Sequence, residues 1–162
     1  MQSDKLMCMY VGFASLDHLP HLDPASLTTR PLVWAVAATH LFVNFEGKNL
    51  TAALLDAATG QAIAPFVLEN SVPLDASDST RSAMAWRGQP SDGIAQLRGR
   101  SVRIVFRWGG YETGGAGAEM EGVSSKLYSF WVAASKCGAS RGYVAGGGPG
   151  IGGDVDTKGS CE

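Results

Sequence analysis

Two stretches of the chain alternate their side chains with a period of two. Ser101–Trp108 reads SVRIVFRW, with Val102, Ile104 and Phe106 on one side and Arg103, Val105 and Arg107 on the other. Lys126–Ala133 reads KLYSFWVA, where Tyr128, Phe130 and Val132 alternate with Leu127, Ser129 and Trp131. Successive strand side chains point to opposite faces, so such alternation of β-branched and aromatic residues predicts a strand with one face in a core. The link, residues 109–125, is Gly-rich and polar. The two runs are therefore expected to form an antiparallel hairpin with a long loop.

Residues 1–11 show no strong pattern, and 12–17 (GFASLD) alternate briefly. Residues 18–24, with two prolines and two histidines, predict a turn. Residues 26–34 predict a strand, but Pro31 removes a ladder donor and so places it at an edge or a bulge. Residues 39–46 (THLFVNFE) predict a strong strand with Leu41, Val43 and Phe45 on one face. Residues 47–49 read as a turn after which 50–56 return, bringing Ala52 and Leu54 to the same core. A second turn is expected at 57–60, an irregular edge segment around Pro65 at 61–68, and a polar loop at 69–80. Residues 81–87 predict a strand with Met84 and Trp86 inward, broken by 88–92. Residues 94–97 predict a short helical turn that docks Leu97 and ends at Gly99.

Seven or eight short strands with turn signals between them predict an all-β domain over residues 12–135. The expected fold is an antiparallel two-sheet β-sandwich, jelly-roll or concanavalin-like, with inner faces about 10 Å apart. The predicted core is Leu41, Val43, Phe45, Leu54, Met84, Trp86, Val102, Ile104, Phe106, Tyr128, Phe130 and Val132. Residues 136–162 form a Gly-rich tail with too few apolar residues for a core of its own, expected to be irregular.

Composition narrows the class. A chain of 162 residues suits one domain, and 45% hydrophobic with 17% charged residues argues against wholesale disorder. A net charge of −2 leaves no footprint for nucleic acid or an anionic membrane. No apolar run approaches the roughly 18–20 residues of a membrane-spanning helix. No signal peptide is readable in MQSDKLMCMYVGF, so an extracellular location is expected only if a parent protein is secreted. Cys8, Cys137 and Cys161 share no metal-ligand spacing; one bridge among them or unpaired thiols both fit the odd count.

No catalytic residue, metal ligand or cofactor is expected. Glycoside hydrolysis needs two carboxyl groups about 5–10 Å apart across a cleft. Asp75 and Asp78 share one loop, Glu112, Glu119 and Glu121 another, and both sets read as solvated. His18, His21 and His40 lack a ligand-set spacing. Ser129 and Ser140 lack a nucleophile elbow, and GGGPGIGG lacks the ending of a phosphate loop. The remaining candidates are aromatic and basic. Trp34, Trp108, Tyr111 and Trp131, with Arg103 and Arg107, predict an outer stripe that binds a sugar or covers a neighbouring domain. Asn49-Leu50-Thr51 is a glycosylation sequon in a predicted turn, which makes Asn49 a candidate modification site.

The series GFASLD, LTTRPL, HLFVNFEG, LLDAATGQAI, DST, AWRG, LRGRSVRIVFRW and LYSFWV resembles the C-terminal β-sandwich region of glycosyl hydrolase family 32-like proteins. In those proteins a five-bladed propeller comes first. The tail SRGYVAGGGPG also resembles the end of some members, so the likeness covers roughly residues 12–150. The propeller is absent here, and with it the carboxylates of glycoside chemistry; the 109–125 loop is longer than the resemblance implies. The resemblance implies a non-catalytic accessory module, a fragment or stand-alone copy, that packs on a propeller or binds glycan. The other reading is a protein-interaction or structural domain with no carbohydrate role. Neither nucleic acid nor membrane is an expected partner.

Overall fold

The structure, a computed structural model, describes residues 24–34, 39–109, 125–134, 136 and 138, with 76–80 followed through their backbone alone. Six strands are present: β1 (Ala25–Thr28), β2 (Leu32–Val33), β3 (His40–Asp56), β4 (Leu74–Ala83), β5 (Ser101–Trp108) and β6 (Lys126–Ala133). Two 3-10 turns, Leu68–Asn70 and Gly93–Leu97, are the helical elements among the described residues. All ladders are antiparallel, and all six strands join one sheet. The run expected at 12–17, His18, His21, the tail from residue 139 and all three cysteines lie outside the described residues.

The element around which this sheet is built is β3. Residues 39–46 and 50–56 were expected to be two strands joined by a turn at 47–49, but His40–Asp56 is one strand of 17 residues. The positive backbone angles that a hairpin turn would use are present, with φ of 127° at Gly47 and 60° at Asn49. They bend the strand instead of reversing it. Between Gly47 and Leu50 the register with β4 slips, since Gly47 faces Ala76 and Leu50 faces Leu74. Two β3 residues, Lys48 and Asn49, thus lie where β4 has only Asp75. Such a bulge switches the inward set from odd positions (Leu41, Val43, Phe45) to even ones (Leu50, Ala52, Leu54), all buried in one core. The amide of Asn49 donates to Asp75 Oδ1 at 2.9 Å, which satisfies a group the bulge takes out of the ladder.

Both edges of β3 are occupied along its length. One edge meets residues 62–86: Leu54 bonds Ile63 and Phe66, β4 pairs with residues 42–50, and Met84 bonds Leu41. On this side the polar 69–80 segment, expected as a loop, contains most of β4. Where β4 and the 61–66 segment leave a gap, side chains complete the ladder. The amide of Ala52 donates to Ser71 Oγ at 3.0 Å, and its carbonyl accepts from Trp86 Nε1 at 3.0 Å. The strand expected at 81–87 accordingly ends at Ala83, and Trp86 sits in a single bridge with Ser71.

The other edge meets β5 and then β6. Ser101–Trp108 was expected to pair with Lys126–Ala133 as a hairpin; instead each pairs with β3. Along β5, Val102 to Arg107 face Asp56 back to Thr51, and along β6, Lys126 to Ala133 face Glu46 back to His40. The two strands therefore follow one another along a single edge, running the same way. Lys48 holds both ends of the intervening excursion: its carbonyl accepts from Gly109 N and its amide donates to Ser125 Oγ, each at 3.2 Å.

The bend brings the inner faces of the two halves of the sheet together, with the Phe106 and Phe130 rings 5.2 Å apart. Ten of the twelve predicted core residues are buried there. Tyr128 and Val132 are the exceptions: Val132 faces the inward Leu41 and is only partly buried, whereas Tyr128 is displaced by a bulge in β6. Asn44 faces Ser129 while Phe45 faces Leu127, so Tyr128 is the extra residue of that bulge. Leu127 takes the inward place, Tyr128 is 39% exposed, and Val132 is partly buried against the core. Pro31 acts as expected: it separates β1 from β2, both on the far edge of β5. The Gly93–Leu97 turn docks Leu97, and Gly99 follows with φ of 72°.

Candidate functional site

The expected stripe of tryptophan and arginine is not one surface. Trp34 is 3% exposed and belongs to the core, with its amide on the Arg100 carbonyl and its carbonyl accepting from Gly99. Its indole Nε1 is buried without a hydrogen-bond partner among the described residues. Trp108 continues the inward set Val102, Ile104 and Phe106 and packs against the core. Both are corrected from the outer face to the inner one. For Trp108 the strand alternation carried the signal. Tyr111 lies outside the described residues, as do Glu112, Glu119, Glu121 and Ser140.

Arg103, Arg107 and Trp131 do lie on the outer face, but on opposite halves of the bent sheet. The inner faces of those halves meet in one core, so their outer faces point away from each other. This separates a cationic surface on β5 from an aromatic surface on β6.

On the aromatic surface Trp131 faces Phe42 across the ladder, with ring centroids 5.7 Å apart and planes 17° apart. Phe42 in turn stacks on His40 at 6.2 Å. The Trp131 Nε1–H donates to the Gly138 carbonyl at 3.1 Å, so the ring is held in position. Gly138 is required there: a Cβ would stand 2.7 Å from the Phe42 ring, and its φ of 64° is left-handed. Next along the ladder come Asn44 and Ser129, half-buried and facing one another, then Glu46 opposite Lys126. The exposed Tyr128 hydroxyl donates to Glu46 Oε2 at 2.7 Å. A held ring, an exposed ring and amide, hydroxyl and carboxylate groups thus share one strip. Sequence reasoning named only Trp131 of this set. Phe42 was readable as the large aromatic off the Leu41–Val43–Phe45 parity, whereas Tyr128 was hidden by the bulge that reverses its face.

Three of the described carboxylates are engaged separately. Asp56 accepts from the Ala58 and Thr59 amides and from Arg100 Nη2 at 3.0 Å. The Thr59 amide, the Arg100 guanidinium and the Ala58 amide hold its carboxyl below the usual range. Glu46 is held by Tyr128 and Asp75 by the Asn49 amide. His40 is buried, with Nδ1 2.7 Å from Thr39 Oγ1. No group of three or more His, Cys, Asp or Glu among the described residues is arranged to hold a metal ion. Asn49 lies in the β3 bulge and not in a turn; Leu50 of its sequon is fully buried, and Thr51 Oγ1 donates to the Arg107 carbonyl.

Compared with known proteins, the chain matches no protein-family model, no curated protein and no solved structure.

Proposed function

We propose that this chain is a non-catalytic β-sandwich accessory module of a glycoside-hydrolase-like protein, and that it binds glycan on the outer face of the β3–β6 ladder. The observation that carries this reading is the held Trp131 ring, backed by Phe42 and followed along the strip by Asn44, Ser129 and the Tyr128–Glu46 pair. A sugar ring offers one apolar face and a rim of hydroxyls, so it is recognised by a flat aromatic surface with hydrogen-bonding groups beside it. A ring already fixed by its N–H loses little rotamer freedom when a ligand settles on it. In this reading the two halves of the bent sheet are the layers of a jelly-roll or concanavalin-like sandwich. A propeller domain of a longer protein is the natural neighbour.

Glycan-array binding followed by titration tests the proposal. Trp131→Ala is expected to weaken binding by about tenfold or more, equivalent to about 1.4 kcal/mol or more. Its cost in stability is expected to be about 1–2 kcal/mol, since the side chain is only half-buried. Capture of an expressed propeller domain, with no glycan bound by the wild-type chain, would move the function to the protein-interaction reading.

A further inference from the structure

We infer that the outer face of β1, β5 and the second half of β3 is a separate site for an acidic glycan, in which Arg107 and Arg103 bind the carboxylates of a uronate-bearing oligosaccharide. This takes its ligand class from the module reading above but uses none of the same residues. The paired register aligns Ser26, Arg107 and Thr51 across the three strands, so Arg107 stands between two hydroxyl-bearing residues. Ser26 and Arg107 are exposed, and Arg107 forms no side-chain hydrogen bond or ion pair with any described residue. Thr51 Oγ1 donates to the Arg107 main-chain carbonyl, which fixes the hydroxyl and leaves its lone pairs to accept from a ligand.

Arg103 lies four residues back on the same face. Its Nη1 donates to the Thr29 carbonyl at 3.2 Å, which lays the side chain across the sheet towards β1 and leaves its other donors for a ligand. The two arginine positions are about 13 Å apart along the strand, with Val105 between them. The other outward positions of the three strands are Thr28, Ser101, Leu55 and the buried Ala53, so these described positions hold two cations and no carboxylate. This contrasts with the chain as a whole, whose net charge is −2.

Charge complementarity therefore selects an anionic partner, and the residue types select its kind. Arginine matches the planar carboxylate with two parallel N–H···O bonds. Hydroxyls on both sides match the hydroxyls of a sugar. Two cations about 13 Å apart match an oligomer carrying repeated acids rather than a single small anion. Nucleic acid fits less well. Its binding draws on many phosphate contacts and on aromatic stacking, and the tryptophan of this strand, Trp108, packs inward.

The test is calorimetric titration of the full 162-residue chain with oligogalacturonate and with the same oligomer fully methyl-esterified. The acid form is expected to bind, and the neutral ester to bind at least about tenfold more weakly, with the difference shrinking as salt rises. Arg107→Gln is expected to lose about tenfold in affinity with an unchanged denaturation midpoint, because the side chain is exposed. Trp131→Ala should leave acid binding intact. Equal binding of acid and ester, unchanged binding by Arg107→Gln, or tighter binding of a single-stranded oligodeoxynucleotide would each overturn the inference. Loss of neutral-glycan binding in Trp131→Ala alongside no binding of oligogalacturonate would overturn it while leaving the module reading in place.

Discussion

Trp86→Ala is expected to destabilise the protein by about 5 kcal/mol. Emptying an aromatic core site costs about 3–5 kcal/mol, and stranding a buried backbone acceptor adds about 1–3 kcal/mol. Both mechanisms act here. The Trp86 ring is 5% exposed and meets Phe66 edge-on at 5.2 Å. Its Nε1–H is the donor to the Ala52 carbonyl, at a point on β3 where no neighbouring strand supplies one. A domain of ordinary stability holds about 5–15 kcal/mol, so this variant should be largely unfolded near physiological temperature. Trp86→Phe separates the two mechanisms: it keeps most of the apolar contact and loses the N–H, so about 1–3 kcal/mol is expected. Urea melts with a common slope read both values. An equal loss from Trp86→Ala and Trp131→Ala would contradict the assignment of inner and outer faces.

Gly47→Ala is the second large effect, expected at about 3–5 kcal/mol. At φ of 127° an L side chain is strained, at about 1–3 kcal/mol. A Cβ there would also overlap Ser125, standing 2.6 Å from its Cα and closer still to its Cβ and Oγ. Overpacking of this kind adds about 1–3 kcal/mol, and backbone cannot step aside as a flexible side chain would. Gly60→Ala is the control: φ is 71°, nothing stands within 4 Å of the added carbon, and only the backbone cost of about 1–2 kcal/mol remains. Ser125→Gly in the Gly47→Ala background should restore part of the loss, because the contact with the Ser125 Cα persists. Chemical denaturation of the four chains measures this. Equal costs at Gly47 and Gly60 would mean that β3 and the start of β6 are not in contact at the bend.

The strands with clean period-two alternation were legible, and so were their inward residues on β5 and on the first half of β3. Trp86 and Leu97 were also placed correctly, since a lone large apolar residue beside a chain break has few places to go but the core. What failed did so at bulges. Gly-Lys-Asn at 47–49 contains the two residues that best tolerate positive φ, so it reads as a hairpin turn, yet the same angles bend a continuous strand. The β4 sequence LDASDSTRSA shows no alternation, and its register with β3 slips repeatedly, which breaks any period of two. On β6 the same effect exchanged Tyr128 for Leu127. The supposed hairpin failed for another reason. An antiparallel run needs a partner, and alternation does not say which; β5 and β6 share β3 instead of pairing with each other.

The candidate site was less legible than the core. Alternation separated Trp131 from Phe130, and Arg103 and Arg107 from Ile104 and Phe106, so their outward direction was readable. Their distribution over two opposed surfaces was not, because it depends on the bend in β3, which lies far from all three in sequence. The inward turn of Trp34 depends on its backbone bonds to Gly99 and Arg100 across the end of β5.

The central claim is that β3 is one bent strand whose second edge carries β5 and β6 in succession. Cross-strand contacts between backbone α-protons in a nuclear magnetic resonance spectrum test it most directly, because facing residues in the non-hydrogen-bonded pairs of an antiparallel ladder bring these protons close. Such contacts are expected for Ala52–Phe106, Leu54–Ile104, Leu41–Val132 and Val43–Phe130, all facing pairs of the β3 ladders. A ladder of α-proton contacts between residues 101–108 and 126–133, together with a reversal of the chain at 47–49, would contradict it.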